Sequence, residues 1–287
     1  MSARMADGRR RSPAAIIVMI LLGVLWTIPT LGMLITSFRS RTDAATSGWW
    51  TAVLGPFGAD WTLANYQRLF ESTALGSSLL NSVVVAVPAT VLPIMFAAFA
   101  AYAFTFTRFR GKELAFILIV ALMVVPIQVA FQPLLNLLGP RGLGISGEFV
   151  AVWLLHSGFG MPLAIYILRN YMSGLPWSVI ESAKIDGASH YQTFWRLVAP
   201  MSMPAIAAFA TLQFLWVWND LLIARLFLGG GANTTIIVAL QQLLGTQGQG
   251  AELLTAGAFL SMLIPLIVFF SLQNFLVRGM TAGSVKG

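Results

Sequence analysis

Residues Leu79–Thr107, LLNSVVVAVPATVLPIMFAAFAAYAFTFT, contain no charged residue. A helix rises about 1.5 Å per residue and a bilayer core is about 30 Å thick, so roughly 20 apolar residues suffice to cross it, and this run exceeds that. Pro88 and Pro93 within it would break a soluble helix. They are tolerated in a membrane bundle where neighbouring helices satisfy the carbonyls that proline frees. Five further charge-free runs share this character: Ala14–Thr36, Leu114–Leu138, Phe149–Leu168, Leu197–Asn219 and Leu253–Val277. Pro29, Pro126, Pro133, Pro162 and Pro265 lie inside these runs. The expectation is an all-α integral membrane protein: six kinked transmembrane helices over about 14–36, 79–107, 114–138, 149–168, 203–228 and 253–277. An arm, 1–13, precedes them and a tail, 278–287, follows. Together, 14–277 form one six-helix transmembrane domain.

Composition agrees. Of 287 residues, 57% are hydrophobic and 9% charged, and the mean hydropathy is +0.81, whereas soluble domains carry about 25% charged residues. The net charge of +7 is too scattered to make a nucleic-acid face. With no cysteine, disulfides, thiolate metal sites and cysteine nucleophiles are excluded. Two histidines, His156 and His190, leave little for a metalloenzyme. His156, inside a span, is expected as a neutral imidazole hydrogen-bonded between helices.

Orientation follows from the cations. With the N-terminus inside, the cytoplasmic side holds Arg4, Arg9, Arg10, Arg11, Arg108, Arg110, Lys112, Arg169, Lys184, Arg196, Arg278 and Lys286, twelve against five on the other side. Those five are Arg39, Arg41, Arg68, Arg141 and Arg225. The positive-inside rule therefore predicts cytoplasmic termini. The first apolar run exceeds the ~7–15 residues of a signal h-region and no small-x-small site follows it, so it reads as an uncleaved helix.

The loops differ in character. Ser37–Ser78 carries Trp49, Trp50, Trp61 and Tyr66, residue types suited to the membrane–water interface. Gly229–Glu252 has no Lys or Arg and strings together Gly229–Gly231 and Gly245–Gly250, which reads as a mobile, amide-rich protrusion or a slack connector.

The segment 176–198 is the most informative. Pro176 suits a first helical turn, and Ser178-Val179-Ile180-Glu181 has capping-box spacing. Val179, Ile180 and Ala183 then share a helical face. Gly187 interrupts, and a second amphipathic piece, His190–Val198, ends before Pro200 and Pro204. Two short helices joined at glycine, with Ile180, Ala183 and Phe194 to bury in a partner groove and Glu181 and Asp186 to meet its cations, suit docking to a cytoplasmic protein. Lys184 and Arg196 balance these acids, which argues against a helix that rests on lipid headgroups. No G-x-x-x-x-G-K-[ST] occurs, so a P-loop ATPase on this chain is excluded.

Glu181-Ser182-Ala183, three residues, Gly187, nine residues and Leu197-x-x-Pro200 resemble the E-A-A-x3-G-x9-I-x-L-P motif of permease subunits of bacterial ABC importers, in the carbohydrate version of the maltose type. Ser182, Leu197 and Ala199 depart from the motif conservatively. The tail Leu276–Gly287 and the string Trp216-Val217-Trp218-Asn219-Asp220-Leu221 resemble the same family. So does Gln241–Gly245, at the start of its last periplasmic loop.

The resemblance implies a type I importer permease without catalytic residues. It assigns Glu181, Ser182, Ala183, Asp186, Gly187, Phe194 and Pro200 to coupling with the ATPase, and Thr246, Gln247 and Gln249 to contact with a binding protein. The partners it implies are a second permease, two ABC ATPase subunits that hold ATP and Mg2+, an extracytoplasmic sugar-binding protein and membrane lipid. The cargo it implies is a sugar, with an α-glucoside-like oligosaccharide preferred over a polyol or glycerol phosphate.

Sugars need aromatic faces and amides or carboxylates, which makes Gln128, Gln132, Asn136, Gln213, Trp216, Trp218, Asn219 and Asp220 candidates for the pathway. A carboxylate such as Asp220 in a span demands a partner, and Arg225 is not on its helical face. Ion-coupled secondary transport and intramembrane catalysis are the competing classes. Neither accounts for the 181–200 motif, and H-E-x-x-H is absent.

Overall fold

A computed structural model describes residues 13–55, 59–71, 74–243 and 250–282, the last seven of them by backbone alone. Helices dominate, and among the described residues the β-structure is one isolated bridge between Arg39 and Trp61. Four helices are long and apolar enough to cross a membrane unbroken: α1 (Pro13–Ser37), α5 (Leu75–Phe106), α8 (Phe149–Ser173) and α15 (Ala251–Ala282).

The other two expected spans are bent. In the third, α6 (Lys112–Ala121) runs through a 3-10 turn to Val124, and α7 (Ile127–Leu138) departs at 97°. Pro126 stands at that break, extended at φ −62° and ψ 125°, and the residue before a proline is itself held out of the helical region. In the fifth, the segment His190–Met201 turns by 71° into α12 (Met203–Trp218). The helix then stops at Asn219 and resumes as α13 (Leu222–Phe227), so 203–228 is two helices and not one.

The chain divides into two compact units. One comprises residues 1–73 and 243–260. Its segment after α1 is folded: α2 (Arg41–Thr46), α3 (Trp49–Leu54) and α4 (Ala64–Glu71) surround the buried Arg39. Arg39 donates from Nη1 to the Ser47 carbonyl (2.9 Å) and from Nη2 to the Asp43 carbonyl (2.7 Å). Asn65 Nδ2 ties the Ser37 and Arg39 carbonyls at 2.9 and 2.8 Å. A buried guanidinium is tolerable here because carbonyl acceptors replace water. Gly32 of α1 admits the Trp49 indole, which an added Cβ would meet at 2.7 Å.

The second unit, 74–242 and 261–287, is organised by α5, α8 and α12. Small buried residues line α5 (Ser78, Ser82, Ala86, Ala89, Ala97, Ala101) and α8 (Ala151, Ser157, Gly160, Ala164), and they let the two backbones approach closely. Two of the proline-freed carbonyls have visible partners. Pro88 cannot donate to the Val84 carbonyl, and Trp153 Nε1 does so at 2.9 Å. Pro93 leaves the Ala89 carbonyl free, and Gln213 Nε2 reaches it at 3.2 Å. Each rescue spares the several kcal/mol that an unpaired carbonyl costs in hydrocarbon.

Part of the glycine-rich segment is also ordered, contrary to a slack connector. In α14 (Ile236–Gln242), Ile236, Val238 and Leu240 are buried. Asn81 Nδ2 donates to the Ala232 and Thr234 carbonyls, and the Ile236 N–H donates to Ser82 Oγ at 2.7 Å.

Candidate functional site

Two features of the second unit bear on function: the glycine-jointed element after α8, and a cavity at the interruption of the fifth span.

The element begins at Pro176, and α9 (Trp177–Ile185) follows it. Ser178 is not its cap: no side chain caps α9, and Ser182 Oγ donates back to the Ser178 carbonyl at 2.9 Å. The capping box lies on the second piece, where Ser189 Oγ accepts from the Gln192 N–H and Gln192 Oε1 accepts from the Ser189 N–H. The Ser-x-x-Gln spacing was available in the sequence. Between the pieces Gly187 sits at φ +79°, in the left-handed region that glycine enters without penalty.

The second piece runs past Pro200. It comprises α10 (His190–Thr193), a π turn over Phe194–Val198 and α11 (Ala199–Met201). In the π turn the Ala199 N–H reaches the Phe194 carbonyl five residues back, and such widened turns ease a proline into a helix.

Which face is free differs from expectation. Ile180 (0% exposed), Phe194 and Val198 are buried in this chain's own core with Tyr102, Phe106, Leu168 and Met172, so they anchor the element and offer a partner nothing. Ala183 is half-buried, and Val179 is exposed. Phe194 stacks on Phe99 at 4.6 Å, and Trp177 stacks on Phe106 at 5.6 Å. Tyr102 Oη lies 2.9 Å from His190 Nδ1 and ties α5 to the second piece. Lys184 covers the Trp177 ring at 5.3 Å. Outward stand Glu181, Ser182, Asp186, Pro200, Ile185 (81% exposed) and Tyr191 (71% exposed). Among the described residues neither Glu181 nor Asp186 forms an ion pair.

The cavity, about 410 Å³, opens where α12 gives way to α13. It brings together Gln128, Gln213, Trp216, Asn219 and Asp220 from the sequence candidates. It adds His156, Phe131, Phe159 and Gly160, which the sequence reading did not place there. Three candidates fall outside it. Gln132 is exposed on α7, and Trp218 is buried, stacked on Phe214 at 5.5 Å. Trp218 follows Trp216 by two positions and so faces the other side of the helix. Asn136, also exposed, is absent from the lining.

Asp220 has the partner its position demanded: His156 Nε2 lies 3.3 Å from Oδ2. Its carboxylate also accepts the Leu222 and Ile223 N–H groups at 3.0–3.3 Å and so caps α13. Arg225 instead donates to Gln241 Oε1 at 2.7 Å. Gln213 Nε2 donates to the Ala89 and His156 carbonyls. Gly160 makes room for that amide, which an added Cβ would meet at 2.7 Å. Among the described residues, Gln213 Oε1 is buried without a partner.

Thr246, Gln247 and Gln249 lie outside the described residues, as do most of the arm 1–13 and the end of the tail 278–287. Among the described residues no group of three or more His, Cys, Asp or Glu is placed to hold a metal.

Comparison with known proteins follows the same lines. Residues 93–282 match the family model described as the binding-protein-dependent transport system inner membrane component. The osmoprotective compounds uptake permease protein GgtD of Synechocystis sp. is 50% identical over 94% of this chain and 91% of its own length. The alpha-glucoside transport system permease protein AglG of Rhizobium meliloti is 38% identical over 97% of this chain and 99% of its own. In fold, the chain is similar to a crystal structure of a bacterial ABC transporter involved in the import of the acidic polysaccharide alginate. The TM-score is 0.73 at 20% identity, over 92% of this chain and 96% of that one. With a family match over residues 93–282 and near full-length permease relatives, this multi-pass chain belongs to the binding-protein-dependent transport system inner membrane components.

Proposed function

We propose that this chain is a non-catalytic permease subunit of an ATP-driven, binding-protein-dependent sugar importer whose cargo is an α-glucoside-like oligosaccharide. It forms half of the translocation pathway beside a second permease. Two ABC ATPase subunits, which hold ATP and Mg2+, dock on the glycine-jointed element, and an extracytoplasmic sugar-binding protein delivers cargo to the opposite face. Both termini are cytoplasmic, following the cation asymmetry. Thr246, Gln247 and Gln249 are the proposed contacts to the binding protein, and the name of the alpha-glucoside relative supports an α-glucoside-like cargo.

One observation carries the reading. The 177–201 element is rooted in the bundle core through Ile180, Phe194 and Val198, while Ile185 and Tyr191 are exposed and, among the described residues, its carboxylates Glu181 and Asp186 form no ion pair. An element fixed on one face and bare on the other transmits displacement from a partner into α5 and α8, and it shifts the bundle between inward- and outward-open states by its differential contacts in each. Glu181 and Asp186 present the charge for a basic cleft, and Gly187 supplies the bend.

The test is reconstitution with both ATPase subunits, the second permease and the binding protein. ATP-dependent sugar uptake is expected. In that complex Glu181→Ala should assemble normally yet lose most of the ATPase stimulation by liganded binding protein, because a charge-assisted contact is worth about 1.5–3 kcal/mol. Unchanged stimulation would remove Glu181 from the docking contact.

A further inference from the structure

The folded segment that follows α1 has surface to which the permease reading gives no task. It is tied back onto α1: the Trp49 indole packs over Gly32, Tyr66 Oη lies 2.8 Å from Ser37 Oγ, and Asn65 Nδ2 donates to the Ser37 carbonyl. The Gly32 contact sets a depth. α1 has 25 residues and is about 37 Å long at about 1.5 Å per residue, so it outruns a hydrocarbon core of about 30 Å by about 7 Å. Gly32 stands five residues before the end of α1 at Ser37, which is again about 7 Å. Even if all of the excess projected from the membrane at this end, Gly32 would lie at the edge of the core, and any other placement, or a tilt, takes it deeper. Trp49, and with it α3, therefore folds back to the level of the lipid.

What α3 presents there is apolar. Trp50, Val53 and Leu54 follow the i, i+3, i+4 spacing of one helical face. All three are exposed, Leu54 at 84%, while Ala52 on the opposite face is buried. The preceding α2 instead exposes Arg41, Thr42 and Thr46. From Ala44 to Ala59 the sequence has no charged residue, where a stretch of that length in a soluble domain carries about four. The Trp50 indole N–H is the only side-chain donor in the stripe, whereas protein interfaces carry about one hydrogen bond per 100–200 Å². The oxygens of lipid headgroups accept an indole N–H while the ring stays among apolar groups, and tryptophan gathers at that level of a membrane.

We propose that α3 is a lipid anchor whose Trp50, Val53 and Leu54 insert into the boundary between headgroups and acyl chains. The leaflet is the one at the C-terminal end of α1, which is the extracytoplasmic leaflet in the orientation that the cation count favours. The anchor does not depend on what the chain transports, so its failure would leave the importer reading standing.

The experiment uses the full chain in nanodiscs of phosphatidylcholine and phosphatidylglycerol. Since the sequence has no cysteine, Val53→Cys, Leu54→Cys and, as a water-facing reference on α2, Thr46→Cys each take one fluorophore. Each labelled chain is measured alone and after assembly with the second permease, the ATPase subunits and the binding protein. The quenchers are iodide in the water and phosphatidylcholine that carries a nitroxide near the top or near the end of its acyl chain. The Val53 and Leu54 labels should lose roughly half of their emission to the shallow nitroxide, less to the deep one and little to iodide, alone and in the complex, as burial about 5–10 Å into that boundary requires. The Thr46 label should lose its emission to iodide instead. Val53 and Leu54 labels that iodide quenches as strongly as the Thr46 label would place α3 in water and overturn the anchor. Labels that the nitroxide lipids reach in the chain alone but not in the complex would show that the second permease or the binding protein covers this face, which overturns it equally.

Discussion

At the scale of single residues, proline placement explains several of the polar contacts. Pro88 and Pro93 each free a carbonyl on α5, and two side chains from other helices, Trp153 on α8 and Gln213 on α12, occupy them. This gives a reciprocal test. Trp153→Phe keeps the ring but removes the donor, so it should destabilise the protein by about 1–2 kcal/mol and lower the thermal midpoint in detergent by roughly 2–4 °C per kcal/mol. Adding Pro88→Ala restores an N–H to the same carbonyl and should recover much of the loss. If the double variant melts with the single one, the indole is not the substitute donor. His156 and Asp220 illustrate the same economy, since one contact satisfies the imidazole and helps fix the break in the fifth span.

At the scale of elements, the segment 177–201 works because its two pieces are held differently. A glycine at φ +79° joins them, and nothing crowds the position a Cβ would take there. Substitution at Gly187 is therefore penalised by backbone conformation alone, about 1–2 kcal/mol for a typical L-residue and more for a β-branched one. Gly187→Val should weaken recovery of the assembled complex by pull-down, while Gly187→Asn, better tolerated in the left-handed region, should be milder. Equal recovery of both variants and wild type would show that the left-handed joint is dispensable. The tie from Tyr102 to His190 and the stacks of Phe194 on Phe99 and Trp177 on Phe106 connect this element to α5, so motion imposed on it reaches the helix that also carries Ala89.

At the scale of the molecule, the sequence contains no cysteine, so single engineered cysteines report on sidedness without background. Ser2→Cys and Ser189→Cys should resist a membrane-impermeant maleimide in intact cells, and Thr46→Cys should react. The reverse pattern would invert the orientation proposed from the cation count. In liposomes the chain alone should carry no sugar, because the element that would receive an ATPase stroke has no motor of its own. Uptake without ATP or partners would instead mark a self-sufficient carrier. Among the described residues most of the large apolar side chains of α1 are exposed, as suits a helix that faces lipid or another membrane subunit.

Hydropathy and motif spacing determined the all-α membrane class, the apolar segments, the glycine joint and the family. Each depends on local composition or on short-range periodicity, which a linear string records in full. The sequence also located Gln128, Gln213, Trp216, Asn219 and Asp220 as polar or aromatic residues in apolar surroundings. Only the tertiary structure decided which of them meet. It turned Trp218 into core and left Gln132 outside, supplied His156 as the partner of Asp220, buried Ile180 and Phe194 in their own bundle, and moved the capping box from Ser178 to Ser189. Those outcomes depend on how helices distant in sequence pack and which carbonyls their prolines leave open, and no window of neighbouring residues contains that information.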